Sequence, residues 1–206
     1  GAGKSTIMNL LLRVYDVSRG RILVNGVDIR ELDLRAWRER FAVVLQDSFL
    51  FRGTLRENLA LGAPEATDDE LEQAARMVRV HELVARHADG YDHEVRERGA
   101  NLSAGEKQLM SFARALVHHP EVLLLDEATA NVDTDTEALV QEALDVLLAQ
   151  QTSLVIAHRL STIRKSDRIL VLHRGELLEQ GTHEELLEQG GHYSKLYRLQ
   201  YSPEAA

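Results

Sequence analysis

An uninterrupted apolar segment, Val122–Leu125, ends directly in the two carboxylates Asp126 and Glu127. A strand without polar residues is typical of a parallel sheet that other elements cover on both faces. Such a strand carries Asp126 to the sheet edge, where it can hold magnesium through bound water. Glu127 is then placed to orient or deprotonate an attacking water. Taken alone, the pattern also fits an ordinary strand that ends in two solvated carboxylates.

The opening letters GAGKST match the end of the phosphate-binding pattern G-x-x-x-x-G-K-[ST]. Glycines let backbone N–H groups curl around phosphate oxygens, and the helix that follows adds positive potential. Lys4 would reach the β- and γ-phosphates, and Ser5 would supply a hydroxyl to magnesium. The other nucleotide contacts expected in this loop are Gly1, Gly3 and Thr6. The alternative is a glycine-rich turn with a capping serine.

The beginning of this loop is incomplete as a phosphate-binding motif. Its first glycine and the strand that would lead into it are missing. We therefore expect the chain to be truncated at its N-terminus within the loop, with the N-terminal strands of the domain absent.

The segment LSAGEKQ, residues 102–108, combines a helix start with a second candidate anion site. Ser103 followed by Glu106 three positions later predicts a capping box at the start of a helix that runs to about His118. A capped helix start that also contains Gly105 attracts anions. Because the phosphate loop already serves the nucleotide of its own chain, this second turn favours a site shared with another copy. A purely structural cap remains compatible with the same residues.

Alternating apolar strands and helical segments predict an α/β fold with a parallel, helix-covered sheet. The segment 5–14 reads as a helix that is apolar almost all round and therefore buried. Strands are expected at 21–26, 41–46, 122–125, 153–157 and 168–172. A single long helical pattern opens at Thr67, and two amphipathic helices are expected near the end. The region between Gln46 and about His119 reads as a helix-only insertion.

Composition narrows the possible partners. The chain has 206 residues and a formal net charge of −9, which argues against a broad nucleic-acid surface. Cysteine is absent, so disulfides and thiolate metal sites are excluded. The sequence contains neither an apolar run of about 20 residues nor an apolar leader. We expect one domain that faces the cytosol.

These motifs, in this order, resemble the nucleotide-binding domain of an ATP-binding-cassette (ABC) transporter. The resemblance implies a P-loop NTPase fold of the RecA-like type, with a core at 1–50 and 120–206 and a helical signature subdomain at about 51–119. It implies ATP and Mg²⁺ as cofactors and ATP hydrolysis at a dimer interface. By the same resemblance, Gln46 touches the magnesium site and couples it to transmembrane helices. His158 contacts the γ-phosphate, and Asp133 helps to join the two halves.

Three further segments resemble the exporter type of this family: HEVRERG at 93–99, RENLALG at 56–62 and GTHEEL at 181–186. The resemblance implies that hydrolysis powers substrate export across a membrane. It also implies a transmembrane domain in the same polypeptide and a position at the cytoplasmic face of the plasma (inner) membrane. The alternative is a soluble ABC-type ATPase of DNA maintenance or translation, although the compact segment before Ser103 and the acidic charge disfavour it. A non-hydrolytic regulatory subunit is disfavoured because Glu127 and His158 are both present.

The signature departs from the usual LSGGQ of the family at two positions. Ala104 replaces a glycine, which requires a negative φ at that residue. Glu106 replaces a glutamine and adds negative charge near the expected γ-phosphate of a partner, unless the capping box turns the carboxylate back. Such signatures often belong to one half of a heterodimeric exporter, so we expect a second nucleotide-binding domain that differs from this one.

Overall fold

The computed structural model describes residues 2–126, 134–157 and 159–201. Its helices are α1 Lys4–Leu11, α2 Leu34–Arg38, α3 Leu55–Leu59, α4 Asp68–Met77, α5 Val80–Val84, α6 Ala104–Val117, α7 Thr134–Ala149, α8 Leu160–Lys165, α9 His183–Glu188 and α10 His192–Tyr201. Its strands are β1 Leu23–Val24, β2 Val27–Asp28, β3 Phe41–Val44, β4 Gly53–Thr54, β5 Glu94–Val95, β6 Val122–Asp126, β7 Thr152–Ile156, β8 Ile169–His173 and β9 Glu176–Gly181.

The chain divides into two compact units. The central unit is Val24–Val155, and the terminal unit combines Gly1–Leu23 with Ile156–Ala206. Each is described by itself below.

The central unit is built on a three-stranded sheet with the order β3-β6-β7. Strands β3 and β6 run parallel, with Phe41 opposite Val122 and Val44 opposite Leu125. The apolar centre of β6 is fully buried, as its composition predicts. The predicted parallel sheet with covering helices is thereby confirmed. Strand β3 differs from the prediction, because Val43 on its outer side remains 41% exposed.

Helix α6 is the central element of the hydrophobic core. Its buried face packs against α3, α4, α5, α7 and β3. It starts and ends where the sequence predicts, with Ser103 as N-cap and His118 as C-cap. The expected single helix after Thr67 is instead two helices, α4 and α5, because Arg79 adopts a left-handed conformation with φ 62°. This break lets both Val78 and Val80 become fully buried.

The expectation of a helix-only insertion between Gln46 and His119 is wrong. Strands β4 and β5 form an antiparallel pair within it, with Gly53 opposite Val95 and Thr54 opposite Glu94. Strands of two residues are too short to show the alternation that identifies a strand in a sequence. The pair joins the start of α3 to the polar segment that precedes α6.

The terminal unit contains α1, α8, the antiparallel pair β8–β9 and helices α9 and α10. The expected strand at 168–172 is present as β8, but it pairs with β9 rather than joining the parallel sheet. A tight turn at Arg174 and Gly175, both with positive φ, brings β9 alongside β8. The two terminal amphipathic helices are confirmed. In α1 only Met8 is buried, so the expectation of a helix buried all round is wrong for the described chain.

Candidate functional site

The phosphate loop lies in the terminal unit and enters α1 through Gly3. Gly3 is the N-cap residue and has a left-handed backbone with φ 94°, a conformation that glycine adopts readily. Its carbonyl accepts the first intrahelical bond, from Ile7 N–H at 3.2 Å. The first N–H groups of a helix have no intrahelical acceptor, and a glycine cap has no side chain to supply one. Lys4, Ser5 and Thr6 are exposed there, so their amides suit an anion.

Asp126 and Gln46 lie at the same edge of the central sheet. Strand β6 ends at Asp126, and Val44, which pairs with Leu125, is the last residue of β3. Because the two strands are parallel, their carboxyl ends meet at one edge, and Gln46 follows two residues after β3. Asp126 is half-buried and Gln46 is exposed. A carboxylate and an amide oxygen are donors that suit Mg²⁺.

The start of α6 has the capping box predicted from the sequence. Ser103 Oγ accepts a hydrogen bond from Glu106 N–H at 3.2 Å, and Glu106 Oε2 accepts one from Ser103 N–H at 2.8 Å. Ser103 and Ala104 are exposed, whereas Gly105 is buried. The amides of Ala104 and Gly105 belong to the first turn, where no intrahelical acceptor exists. The Ser103 hydroxyl, which accepts one bond, can still donate its proton.

The two departures from the usual signature are accommodated by this geometry. Ala104 is the first helical residue of α6 and does not have a positive φ, so its side chain causes no backbone strain. The Glu106 carboxylate is turned back onto the start of its own helix. Its second oxygen, Oε1, lies 3.9 Å from a guanidinium nitrogen of Arg86. The negative charge is thus partly balanced.

Four of the site residues expected from the sequence lie outside the described residues: Gly1, Glu127, Asp133 and His158. Of the remainder, the structure brings Gln46 and Asp126 to one sheet edge and places Gly105 beside Ser103 at one helix start. Gly3, Lys4, Ser5 and Thr6 form the helix start in the other unit. Their roles as ligands stay predictions.

The sequence reading missed two polar residues of the central unit, Asn58 and Arg114. Asn58 is only 2% exposed, and Arg114 is a half-buried cation on α6. The available signal was an arginine within the mostly apolar stretch LMSFARALV. Within residues 2–126, 134–157 and 159–201, no group of three or more potential metal-ligating His, Cys, Asp or Glu side chains is present. A site that relies on few protein ligands together with phosphate oxygens and water needs no such group.

Comparison with known proteins identifies a family. The family model described as ABC transporter matches residues 1–130. The chain is 49% identical over 202 residues to an uncharacterized ABC transporter ATP-binding protein, YknV, of Bacillus subtilis, covering 98% of this chain and 33% of that protein. It is 46% identical over 200 residues to a putative multidrug export ATP-binding/permease protein of Staphylococcus aureus, covering 97% of this chain and 35% of that protein.

A solved structure is similar over the whole chain. It is described as a bacterial Atm1-family ABC exporter with ATP bound, and it matches with a TM-score of 0.89 and 44% identity. The match covers 100% of this chain and 36% of that one. The chain thus spans about a third of the length of the relatives it matches. Among the described residues, no helix is long and apolar enough to cross a membrane. The chain belongs to the ABC transporter family and corresponds to its nucleotide-binding domain.

Proposed function

We propose that this domain binds ATP between two nucleotide-binding domains and hydrolyses it to power export of a substrate across a membrane. The observation that carries the proposal is the start of α6. Its Ser103 is exposed, and the Glu106 carboxylate is turned back onto the Ser103 N–H. This arrangement leaves the amide of the exposed Ala104 in the first turn for an incoming anion. The phosphate loop at α1 is a separate anion site on the same chain, so two chains can each contribute one half.

The roles of the nearer ligands follow from their chemistry. The amides at the start of α1, with Gly1, Gly3 and Thr6, bind phosphate oxygens, and the Lys4 ammonium neutralises their charge. Asp126, Gln46 and the Ser5 hydroxyl supply oxygen donors of the kind that Mg²⁺ prefers. When bound, the ion neutralises charge that develops on the phosphates during hydrolysis. Asp126 ends a buried strand, which supports this role.

The remaining roles are proposed from the family resemblance. Glu127 follows Asp126 directly and acts as the base that orients or deprotonates water. His158 contacts the γ-phosphate, and Asp133 contributes to the contact between the two domains. The segment at about 51–119 acts as a signature subdomain, and the segments 1–50 and 120–206 act as the ATP-binding core.

The partner is a transmembrane domain, a proposal that the name ATP-binding/permease protein of the Staphylococcus aureus relative supports. We propose the same arrangement for this chain, with the domain at the cytoplasmic face of the plasma (inner) membrane. Gln46 lies at an exposed position after β3, where a neighbouring domain can reach it. The acidic balance of the chain supports the absence of nucleic acid among its partners.

Replacing Ser103 by arginine is expected to abolish most ATP turnover while leaving ATP binding by the phosphate loop of the same chain unchanged. A bulky side chain at the exposed turn would block the phosphate of the partner's nucleotide, and it leaves every residue of the phosphate loop unchanged. We expect turnover of the intact protein to fall by about 100-fold or more, since transition-state donors contribute at this scale. Steady-state turnover and equilibrium ATP binding measure the two effects separately.

The matched control is Thr67→Arg, because Thr67 forms the same kind of capping box with Glu70 at the start of α4. Both variants lose a cap, which costs about 1 kcal/mol of stability. Only Ser103→Arg should lose turnover. Equal losses of turnover in both variants, or weakened nucleotide binding by Ser103→Arg, would contradict a shared site.

We further propose that the partner domain is not identical to this one. This chain supplies the phosphate loop, Glu127 and His158 of one site, while its signature carries Ala104 and Glu106 in place of the usual glycine and glutamine. The expected result is one rapidly hydrolysing nucleotide site per assembled pair, measured by single-turnover kinetics on the purified full-length protein with its natural partner. A homodimer with two equivalent turnover sites would contradict this proposal.

A further inference from the structure

Arg114 forms an unusual set of contacts on the inner part of α6. Its Nε–H donates to the carbonyl oxygen of Asn58 at 2.8 Å, and one terminal nitrogen donates to the carbonyl oxygen of Phe49 at 3.2 Å. The other terminal nitrogen donates to Asn58 Oδ1 at 3.3 Å. Among the described residues no carboxylate forms an ion pair with this guanidinium. Burial lowers the pKa of Arg114.

A half-buried cation that binds only carbonyl oxygens has a specific structural use. The fixed fork of a guanidinium presents several donors in one plane, so it can hold several backbone carbonyls at defined positions. A lysine ammonium at the same place carries the charge but lacks this planar fork. The contacts of Arg114 therefore fix the backbone at Phe49 and Asn58 and also hold the Asn58 side chain.

Asn58 extends the same network along the chain. Its Nδ2 donates to the carbonyl oxygens of Phe51 and Thr54 at 2.9 and 3.0 Å, and its Oδ1 accepts from Phe51 N–H at 2.9 Å. With a buried side chain, Asn58 ties the segment 51–54 to α3. Asn58 and Arg114, here termed the carbonyl clamp, together hold the backbone of residues 49–54.

The clamp lies between two elements that the proposed function uses. Residues 45–48, which include Gln46, connect Val44, the last residue of β3 in the sheet, to Phe49, which the clamp holds. Arg114 follows Ser103 by eleven residues on α6, which corresponds to about 16 Å along one helix. Movement of the signature helix would consequently be transmitted to the far end of the loop that carries Gln46.

We propose that Arg114 is a positioning residue for Gln46: through Asn58 and the Phe49 carbonyl it fixes the loop 45–48 and couples it to the helix that begins at Ser103. This inference rests on the proposed function, which gives Gln46 its role at the magnesium site. It adds a residue that touches neither nucleotide nor metal, and it makes the position of Gln46 depend on the position of α6.

The test compares Arg114→Lys with Arg76→Lys in the intact protein. Arg76 is also a helical arginine of the central unit, but it makes an exposed pair with Glu72 on the same helix. Amide hydrogen exchange of residues 45–54 is expected to accelerate about 10-fold or more in Arg114→Lys and to stay unchanged in Arg76→Lys. The Mg²⁺ concentration for half-maximal ATP turnover is expected to rise about 5-fold in Arg114→Lys alone, with ATP binding in the absence of Mg²⁺ unchanged.

Asn58→Asp perturbs the carbonyl clamp in a second way. It keeps an oxygen for Arg114 and Phe51 N–H but loses the amide protons given to Phe51 and Thr54. The exchange of residues 45–54 should accelerate here too, and the double variant with Arg114→Lys should show less than the sum of the two effects.

Unchanged exchange in 45–54 in both variants would overturn the proposal whether or not the protein hydrolyses ATP. A lowered melting temperature with faster exchange but the wild-type Mg²⁺ dependence would overturn it as well, because the clamp would then only stabilise the fold. A wild-type protein without ATP turnover would refute the proposed function separately, and it would also overturn the role of Arg114 at a magnesium site.

Discussion

Replacing Lys4 by alanine is expected to weaken ATP binding by about 100-fold, the effect of losing a hydrogen bond between two charged groups. Lys4 is the only charged residue among the first twelve, in a chain whose formal net charge is −9. The positive potential of the phosphate loop therefore comes from this ammonium and from the backbone amides at the start of α1. Removing the ammonium leaves the amides alone against a triphosphate. Titration calorimetry with an ATP analogue that cannot be hydrolysed measures the loss.

Lys165→Ala is the matched control for this variant. Lys165 is an exposed lysine at the last position of α8, in the same unit as the phosphate loop. Both substitutions lower the net charge by one, so a general electrostatic effect would weaken binding equally in both. Normal ATP affinity in a folded Lys4→Ala protein would refute the nucleotide site at α1.

The helix starts of the site were predictable because their signals are local. Ser103 and Glu106 encode a capping box within four residues, and the structure contains both of its hydrogen bonds. The parallel sheet that contains β3 and β6 was also predictable, since apolar runs in an alternating strand and helix pattern favour it. In these cases each signal lies within a short segment of the sequence.

Features that depend on distant residues were not predictable in this way. The pairing of β8 with β9, which replaced an expected parallel strand, is an exception, because the turn at Arg174 and Gly175 that returns the chain is local in sequence. The carbonyl clamp joins Arg114 to a segment 56 residues earlier, and two of the three acceptors of Arg114 are backbone carbonyls, which carry no sequence signal. The sequence shows an arginine within an apolar stretch, but its contacts are recognisable only once α6 and α3 are packed together.

The orientation of the Glu106 side chain changes how the replacement of the usual glutamine by Glu106 is interpreted. Sequence alone left open whether its carboxylate would repel a partner's γ-phosphate. The carboxylate binds the Ser103 N–H and lies near Arg86, so its charge is partly satisfied within its own domain. If the two nucleotide sites hydrolyse ATP at different rates, the partner domain or Ala104 must contribute to the difference as much as this charge does.

Replacing Glu127 by glutamine is expected to reduce ATP turnover by about 100-fold or more, the usual contribution of a general base. Glutamine keeps the size and the hydrogen-bonding oxygen of the side chain but cannot accept a proton. Asp126, the preceding residue, is the last residue of a buried strand, and the family resemblance gives Glu127 the role of the base. Binding of ATP should change by no more than about 3-fold, because the base acts in the transition state rather than in the bound ground state.

Glu137→Gln is the matched control, since it removes an exposed carboxylate on α7 of the central unit. Turnover by Glu127→Gln equal to that of this control would remove Glu127 from catalysis and revive the interpretation as a non-hydrolytic regulatory subunit. Comparing Glu127→Gln with Lys4→Ala distinguishes hydrolysis from binding. Lys4→Ala should lose binding and turnover together, whereas Glu127→Gln should lose turnover alone. Only a domain that both binds and hydrolyses ATP separates the two variants in this way.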